Sequence, residues 1–473
     1  MRSVSVLLVV LATCTACTLG PDYRRPRVDL PSTYRDAAPA PLIPAPSVGD
    51  LAWWDIFADP SLVELIRTAL AANYDLRMTV TRILQAQAQV TISRSQIYPT
   101  VNGTVEAPYT GYLGNNRSPT TPRDTFTPDG GVSISWELDL WGRLRRATES
   151  ARADLLASED ARRAVMISLI AQVAQAYFDL RAFDATLETS RRTLVSRQQS
   201  LELTRARLEG GVTQLLDVRQ SEALVSDAAK TIPNFERQIT QTENAINILL
   251  GRDPAPIPRG RPLVQQVTLP TVPVGVPSDL LARRPDIRQA EQQLVSANAK
   301  IGAAEAQLFP TVMITGFAGA GGMVVSGQSF GPFGLFTALP TVTLPIFNMG
   351  RLQAQVDYAE AQTQEALLRY QQTIQQAIRE VADALIEVQK RREARLEVEK
   401  LVVSLRDASQ VADLRYRGGV SSYLEVLDTD TRLFDAELQL SQAQLDELVG
   451  VITLYKTLGG GWQAEEAARQ TQG

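Results

Sequence analysis

Glu425 and Asp428 are the residues whose types and spacing come nearest to a chemical site in this sequence. They follow Gly418-Gly419 in the stretch YRGGVSSYLEVLDTD, and two neighbouring acids are what acid–base chemistry such as glycoside cleavage requires. No phosphate-binding glycine loop, metal-ligand cluster or activated nucleophile accompanies them, and the chain contains no histidine. We therefore predict that the protein is not an enzyme and has no metal site and no cofactor.

The overall composition excludes several other classes of protein. Of 473 residues, 44% are hydrophobic and 21% charged, which is outside the range of disordered chains. The net charge of -5 gives a nucleic-acid partner no electrostatic support. Both cysteines, Cys14 and Cys17, lie at the N-terminus, so the rest of the chain has no disulfide framework.

The first residues, MRSVSVLLVVLATCTAC, predict an export signal. The apolar run from Val4 to Ala12 is too short to span a bilayer. Cys17 follows two small residues, and this arrangement resembles a bacterial lipoprotein signal, which is cleaved before a cysteine that becomes lipidated. We predict a signal peptide at 1–16 and a lipidated N-terminal segment at 17–60, with Cys17 as the lipid acceptor. Cys14 is the alternative acceptor, and an ordinary secretory signal is the alternative interpretation.

The sequence matches itself at an offset of 208 residues. The matching segments are Gly142-Arg143-Leu144 with Gly350-Arg351-Leu352, Gly210-Gly211-Val212 with Gly418-Gly419-Val420, and Leu250-Gly251 with Leu458-Gly459. Several matches in one order predict a tandem duplication. We place the two copies at 61–251 and 278–459, with a proline-rich linker at 252–277 and a C-terminal tail at 460–473.

A long antiparallel helical hairpin is predicted to dominate each copy. Ala147–Glu209 and Leu352–Arg417 contain neither proline nor glycine and predict helices of about 100 Å. A seven-residue leucine repeat predicts coiled-coil packing along the first helix, at Leu180, Leu187, Leu194, Leu201 and Leu208. Second helices are predicted at 213–250 and 421–458. Polar helical segments, 61–97 and 286–308, open the two copies.

Two-residue periodicity predicts two β-strands in each copy. The predicted strands lie near 99–110 and 130–141 in the first copy and near 311–320 and 334–346 in the second. Glycine- and proline-rich stretches at 110–128 and 321–333 are predicted to be loops, and Pro340 predicts a bulge or bend. The alternation fits a half-buried soluble sheet or a membrane barrel with a wet lumen. Four strands cannot close a barrel, so the membrane interpretation requires a trimer with twelve.

Motifs along the whole chain resemble those of the TolC/OprM-type outer-membrane efflux channels, in particular the NodT-type lipoprotein branch. The motifs are CTLGPDYRRP from Cys17, Trp53-Trp54, Asp59-Pro60, WELDLWG from Trp136, RRPDI from Arg283 and YKTLGGGW from Tyr455. The resemblance implies an α+β membrane channel. Its homotrimer would form a 12-stranded β-barrel in the outer membrane, continued by a periplasmic α-helical barrel, with outer-membrane lipid and a covalent lipid on Cys17 as anchors.

The same resemblance implies a passive function. The channel would carry small molecules such as antibiotics across the outer membrane, together with a periplasmic adaptor protein and an inner-membrane RND transporter. One alternative is a conduit for type I secretion or for an ABC-type exporter. Another is a lipid-anchored coiled-coil scaffold without a pore, which would be a monomer or dimer.

Roles for the glycine turns also come from the resemblance. It implies that the two turns are adaptor-docking tips, formed by Gly210, Gly211, Val212 and Thr213 and by Gly418, Gly419, Val420 and Ser421. The alternative is a turn that serves only to reverse the chain. Thr213 or Ser421 is expected to act as a helix N-cap.

The resemblance further implies a constriction at the second turn. Leu424 and Asp428, four residues apart on one helix face, would form a ring of leucines and a ring of aspartates at the periplasmic gate. Glu425 would widen the acidic ring or pair with a neighbouring arginine, and a ring of carboxylates attracts cations. The alternative is a solvated helix face. Asp217 holds the corresponding position in the first copy, where the implication is weaker because outer hairpins need not line the lumen.

Overall fold

The computed structural model describes residues 18–35, 52–56, 59–111, 122–266, 277–460 and 462. The predicted signal peptide, Cys17 and most of the predicted tail lie outside these residues. The chain divides into two compact units. Unit 1 contains Met1–Arg27, Arg82–Glu159 and Gln289–Gln371, and unit 2 contains Val28–Thr81, Asp160–Arg288 and Gln372–Gly473.

The helices and strands alternate in blocks along the chain. The helices are α1 (Trp53–Ile56), α2 (Pro60–Ala72), α3 (Tyr74–Ser95), α4 (Arg143–Glu209), α5 (Leu215–Leu249), α6 (Leu280–Arg283), α7 (Pro285–Glu305), α8 (Arg351–Arg417) and α9 (Tyr423–Thr457). The strands are β1 (Thr100–Glu106), β2 (Tyr109–Gly111), β3 (Asp124–Phe126), β4 (Asp129–Leu138), β5 (Thr311–Val325) and β6 (Gln328–Thr343). None of the described helices combines the length and the apolar composition needed to cross a lipid bilayer.

The two predicted hairpins are present with matched helix lengths. α4 and α8 contain 67 residues each, and α5 and α9 contain 35 residues each. The prediction that α4 and α8 run uninterrupted to Glu209 and Arg417 is confirmed. In the leucine repeat of α4, Leu180, Leu187 and Leu201 are buried, as packing along this seam requires.

The polar segment that opens the first copy is not one continuous helix. The prediction of a single segment at 61–97 is wrong, because Asn73, between α2 and α3, has a non-helical backbone with ψ 129°. The Asn73 side chain donates to the Leu249 carbonyl at 2.9 Å and accepts from the Leu76 amide at 3.0 Å. These bonds satisfy polar groups at the break and anchor it to the end of α5.

The strands form a six-stranded antiparallel sheet in unit 1. β4 pairs with β1 and β5, and β5 also pairs with β3 and β6, whereas β2 pairs with β3. The prediction of two strands in the first copy is therefore wrong for the described residues. Ala107-Pro108 separates β1 from β2, because proline has no N–H to continue a strand ladder.

The prediction of a loop at 321–333 is also wrong. β5 and β6 continue through most of this segment and turn at Ser326-Gly327. Gly321 in this segment permits a close strand approach, since a Cβ on it would lie 3.1 Å from the Cβ of Asp129 in β4.

Pro340 does not produce the predicted bulge. It pairs in register with Ile314, and the register shift lies between Gly321 and Met323. β6 has no other partner among the described strands, so Pro340 is on a sheet edge, where a missing N–H is tolerated.

Residues of the N-terminal segment pack against α4 and α7 in unit 1. Arg146 of α4 donates to the carbonyls of Leu19 and Gly20 at 3.0 and 3.1 Å. Gly20 has φ +87°, and a Cβ on it would lie 2.3 Å from the Cα of Gly302 in α7. The segment can approach α7 this closely only because both contact residues are glycines.

Asp59 is the centre of a buried hydrogen-bond network in unit 2. Its carboxylate is fully buried and accepts from the Ser61 amide, the Tyr177 hydroxyl, the Arg261 amide and the Gln266 side chain. Burial, together with the bond to Asp59, raises the pKa of Tyr177 well above its usual value. The network thus fixes part of the predicted linker, residues 252–277, against α2 and α4.

Asp59→Ala is expected to destabilise the fold by roughly 3 kcal/mol or more, because several buried donors lose their acceptor. Asp59→Asn keeps the shape and one acceptor oxygen and is expected to cost less. Thermal unfolding of the purified protein measures both changes. Asp253→Asn, at an exposed position of the predicted linker, is the control and should unfold like the parent. Equal midpoints for Asp59→Ala and Asp253→Asn would contradict the assignment.

Candidate functional site

The two glycine turns have the same backbone geometry. The φ angles of Gly211 and Gly419 are +74° and +75°. At the first turn, the Val212 amide donates to the Arg207 carbonyl at 2.9 Å and the Gly211 amide donates to the Leu208 carbonyl at 3.0 Å. This pair of bonds is a Schellman motif, which satisfies carbonyls at a helix end.

The same two bonds close the second turn. The Val420 amide donates to the Arg415 carbonyl and the Gly419 amide to the Tyr416 carbonyl, each at 3.0 Å. A Cβ on Gly419 would have no atom within 4 Å, so the left-handed backbone rather than crowding requires glycine there.

The helices after the turns start at Leu215 and Tyr423, two residues after the predicted starts at 213 and 421. Gln214 and Ser422 occupy the N-cap positions, so the assignment of Thr213 and Ser421 as N-caps is wrong. The Thr213 hydroxyl instead donates to the carboxylate of Asp217, and the Ser421 hydroxyl is buried without a partner among the described residues. In both turns this residue, Thr213 or Ser421, still belongs to the chain reversal that precedes the helix.

The surfaces of both turns are apolar and exposed. Val212 is 67% exposed and Val420 is 71% exposed, and Leu215 and Leu216 extend the first surface. Exposed apolar groups at the end of a hairpin are typical of an interaction surface. We call residues 210–213 and 418–421 the first tip and the second tip.

Leu424, Glu425 and Asp428 are exposed near the start of α9. Leu424 is 59% exposed. Asp428 forms an ion pair with Arg432 at 3.1 Å, and Glu425 forms one with Arg415 at 3.4 Å. Because these pairs are largely exposed to solvent, they hold the acids only weakly. The structure therefore places the three predicted constriction residues together on an accessible part of α9.

Asp217 has a different environment from Asp428. It accepts hydrogen bonds from the Thr213 hydroxyl and, at 3.4 Å, from the Gln214 amide. Its carboxylate therefore belongs to the first turn itself, whereas Asp428 accepts a hydrogen bond from Arg432 on its own helix.

Sequence reasoning missed a cluster of aromatic and cationic residues beneath the second tip. The rings of Tyr416 and Tyr423 lie 5.3 Å apart, one on each side of the turn. Arg207 of α4 lies 4.4 Å from the Tyr416 ring centre and donates to the Tyr416 carbonyl at 2.9 Å. The Tyr423 hydroxyl bonds the Ser221 hydroxyl at 3.0 Å. Two tyrosines flanking the glycine pair were the available signal, but their partners are over 200 residues away in sequence.

Two long helical hairpins with apolar glycine tips, and a sheet of antiparallel strands, agree with the outer-membrane efflux channels that the sequence motifs resemble. The chain belongs to the outer membrane efflux protein family, whose family model matches residues 65–252 and 276–460. It is thus an outer-membrane component of an efflux system.

Individual relatives agree with this class. The chain is 35% identical over 480 residues to the solvent efflux pump outer membrane protein SrpC of Pseudomonas putida, covering 98% of this chain and 100% of that protein. It is 34% identical to the cation efflux system protein CusC of Escherichia coli, covering 96% and 98%. The crystal structure of the open state of the MtrE outer membrane channel of Neisseria gonorrhoeae superposes with a TM-score of 0.85 at 33% identity, covering 94% and 98%. These relatives are efflux-pump or channel proteins rather than enzymes.

Gly419→Val is expected to destabilise the second turn by about 1–2 kcal/mol, because a β-branched residue is strained at φ +75°. Gly418→Ala is the matched control, since Gly418 has no left-handed backbone and a Cβ there makes ordinary contacts. Thermal unfolding and protease sensitivity of the turn measure the difference. If both variants behave alike, glycine is not required for its backbone conformation.

Proposed function

We propose that this protein is the homotrimeric outer-membrane channel of a tripartite efflux pump. It conducts small molecules passively from a periplasmic adaptor and an inner-membrane RND transporter. This proposal rests on the exposed residues Leu424, Glu425 and Asp428 beside the second tip. A non-conducting scaffold would not need an exposed leucine next to two exposed acids at this place. A lipid on Cys17 anchors the chain to the outer membrane.

The sheet supports a trimer. β1 and β6 each pair on one side only among the described strands. An unpaired edge is unfavourable in lipid, because its N–H and C=O groups lack partners. Pairing β6 of one copy with β1 of the next would use both edges. Three copies of the long strands β1, β4, β5 and β6 then make the twelve strands of a closed barrel.

Matched helix lengths support the tandem duplication. Corresponding helices of the two hairpins start and end 208 residues apart, and the family model matches in two separate segments. Three copies of two equivalent hairpins would supply twelve helices for the proposed helical barrel.

The constriction follows from three-fold symmetry. Leu424 and Asp428 lie on one face of α9, so three copies would place three leucines and three carboxylates around the axis. Each Asp428 has Arg432 as its ion-pair partner, and Glu425 has Arg415. Because these ion pairs hold the acids only weakly, the carboxylates can separate from their arginine partners. The negative charge of the ring would then favour cations.

Asp428→Asn is expected to lower the cation-to-anion permeability ratio of the channel roughly twofold or more, because the ring loses its charge. The measurement is the reversal potential of the purified trimer in a planar lipid bilayer under a KCl gradient. Glu202→Gln, an exposed acid on α4, is the control and should leave the ratio unchanged. An unchanged ratio for Asp428→Asn in a conducting trimer would contradict the acidic ring.

The tips are proposed to dock the periplasmic adaptor. Val212 and Val420 present exposed apolar surface at the two tips, and the rigid Schellman turns hold it in place. Burying such groups on a partner is favourable and needs no ordering of the turn.

Val420→Glu is expected to reduce the recovery of adaptor at least about tenfold, since a buried charge replaces an apolar contact. The measurement is cross-linking in the native membrane followed by affinity purification of this protein. Val264→Glu, at a comparably exposed valine outside the tips, is the control. Recovery of an RND transporter with the adaptor supports the proposal. An ABC-type exporter instead would assign the chain to a secretion system, and a monomer or dimer with neither partner would refute the channel.

A further inference from the structure

The chain passes twice from a strand of the sheet into a long helix, and the duplication makes these two passages equivalent. Residues 136–143 lead from β4 into α4 and are called the first exit, whereas residues 344–351 lead from β6 into α8 and are called the second exit. WELDLWGR in the first exit corresponds to LPIFNMGR in the second, 208 residues later. Both acids of the first exit are therefore replaced in the second, by a proline and a phenylalanine.

The arginine that ends each exit has a different environment in the two copies. In the first exit, Arg143 donates to the carboxylate of Glu137 from Nε at 3.0 Å and from Nη2 at 2.7 Å. Arg351 holds the same position in the second exit, where Pro345 takes the place of the acid. Arg351 is exposed and has no acidic partner among the described residues. The second exit therefore carries a positive charge that the described part of the chain does not neutralise.

The second exit is also the more apolar of the two. Asp139 of the first exit accepts from the Leu144 amide at 3.1 Å and so caps α4, but its counterpart is Phe347. Ile346, Phe347 and Met349 are 89%, 82% and 86% exposed. Such a concentration of exposed apolar surface indicates an interaction site. Because an exposed arginine follows it directly, the complementary ligand is an apolar molecule with a negative charge.

Contacts within unit 1 show which element lies beside the first exit. The hydroxyls of Ser150 in α4 and Ser296 in α7 are 2.9 Å apart. A Cβ on Gly302 of α7 would lie 3.0 Å from Nε of Arg146 in α4. The contact residues ascend along α7 as they descend along α4, so the two helices are antiparallel. The end of α7 therefore lies beside the start of α4.

Opposite charges occupy this level of the two helices within the chain. Arg143 is three residues before Arg146 on α4, and Glu305 is three residues after Gly302 on α7. The counterpart of Glu305 in the first copy lies 211 residues earlier, at the end of α3, and is Arg94. Arg94 is exposed and has no acidic partner among the described residues. The duplication has thus replaced an acid by a cation at this position.

The proposed trimer would bring the two unpaired arginines to one level. Pairing β6 of one copy with β1 of the next would place α8 beside α3 of the next copy, as α4 lies beside α7 within the chain. Arg351 of one copy and Arg94 of the next would then occupy the level that Arg143 and Glu305 occupy within the chain. Two like charges at this junction are unfavourable without an anion.

We propose that one anionic phospholipid binds at each junction between copies in the trimer. Its phosphate lies between Arg351 of one copy and Arg94 of the next, which donate charge-assisted hydrogen bonds to it. Its acyl chains cover Ile346, Phe347 and Met349. These residues directly follow β6, at the end of the sheet where the proposed barrel would meet the lipid headgroups. This inference rests on the trimer of the proposed function.

The composition of the two segments at the junction favours a lipid over other anions. Neither 94–105 nor 345–356 contains an aspartate or a glutamate, so these segments cannot neutralise the arginines of a neighbouring copy. Free phosphate would neutralise them but would leave the apolar side chains of the second exit in water. An anionic phospholipid satisfies both requirements with one molecule.

The test is native mass spectrometry of the purified trimer in detergent micelles that contain phosphatidylglycerol or phosphatidylcholine with the same acyl chains. The parent is expected to retain at least about tenfold more phosphatidylglycerol, because two arginines attract its net negative charge. Arg351→Gln and Arg94→Gln should each lower this retention about fivefold. Arg82→Gln, at an exposed position on the same helix as Arg94 but more than three turns away, is the control and should retain the lipid like the parent.

Arg94→Glu restores the opposite charges that are found within the chain. This variant is expected to lose phosphatidylglycerol and to hold together as a trimer without it, because Arg351 of the neighbouring copy gains an acidic partner. The measurement is the temperature at which the trimer dissociates on a semi-native gel. Phosphatidylglycerol should raise this temperature by several degrees for the parent and leave it unchanged for Arg94→Glu.

The outcomes separate the lipid site from the trimer. If the parent trimer retains both lipids equally, or if the two glutamine variants retain phosphatidylglycerol like the parent, the inference is overturned and the trimer stands. An excess of sodium phosphate that stabilises the trimer as well as phosphatidylglycerol does would assign the junction to a free anion and overturn the lipid. Glutamine variants that dissociate more readily than the parent without any lipid would show an acid of the chain at the junction, which also overturns the inference. A parent that is a monomer or dimer in both lipids would refute the proposed trimer itself.

Discussion

The left-handed backbone at four glycines is the constraint on which the hairpins depend. Each of the four helices α4, α5, α8 and α9 is followed by a glycine with positive φ and closed by the same pair of hydrogen bonds, at Gly211, Gly251, Gly419 and Gly459. Only glycine adopts this conformation without steric cost, so the reversal is fixed to one residue. The position of each exposed tip, and of the residues that begin the next helix, follows from that choice.

Arginines and buried acids form directional contacts between these long helices. Apolar packing along the helices does not by itself fix their register. Asp59 gathers donors from α2, α4 and the segment after α5, and Arg197 gathers acceptors from α5 and α9. In unit 1, Arg146 performs a similar function for the N-terminal segment. A helix with a seven-residue apolar seam can slide or rotate at low cost, whereas a directional hydrogen bond to a buried charge permits one register.

The sequence predicted the long helices well because nothing within 147–209 or 352–417 competes with helix formation. It predicted the extents of the strands poorly, because the glycine-rich stretch 321–333 has the composition of a loop. Only the neighbouring strand shows that its glycines permit close approach. The break at Asn73 and the contacts of Arg197 depend on partners far away in sequence. The constriction residues and the docking tips came from family resemblance, so they stay predictions about a trimer.

The equal lengths of the paired helices have an evolutionary consequence. One residue inserted into α4 alone would advance everything beyond it by about 1.5 Å and rotate it by about 100°. The first tip would then be displaced along the helix axis relative to the second tip. The leucine repeat of α4 and Arg197 would also rotate away from their packing partners. Insertions and deletions in these helices are therefore expected to be tolerated only when both copies change together. Both must then change by the same number of residues, in multiples close to whole turns. Variation in length is expected to accumulate in the connections instead.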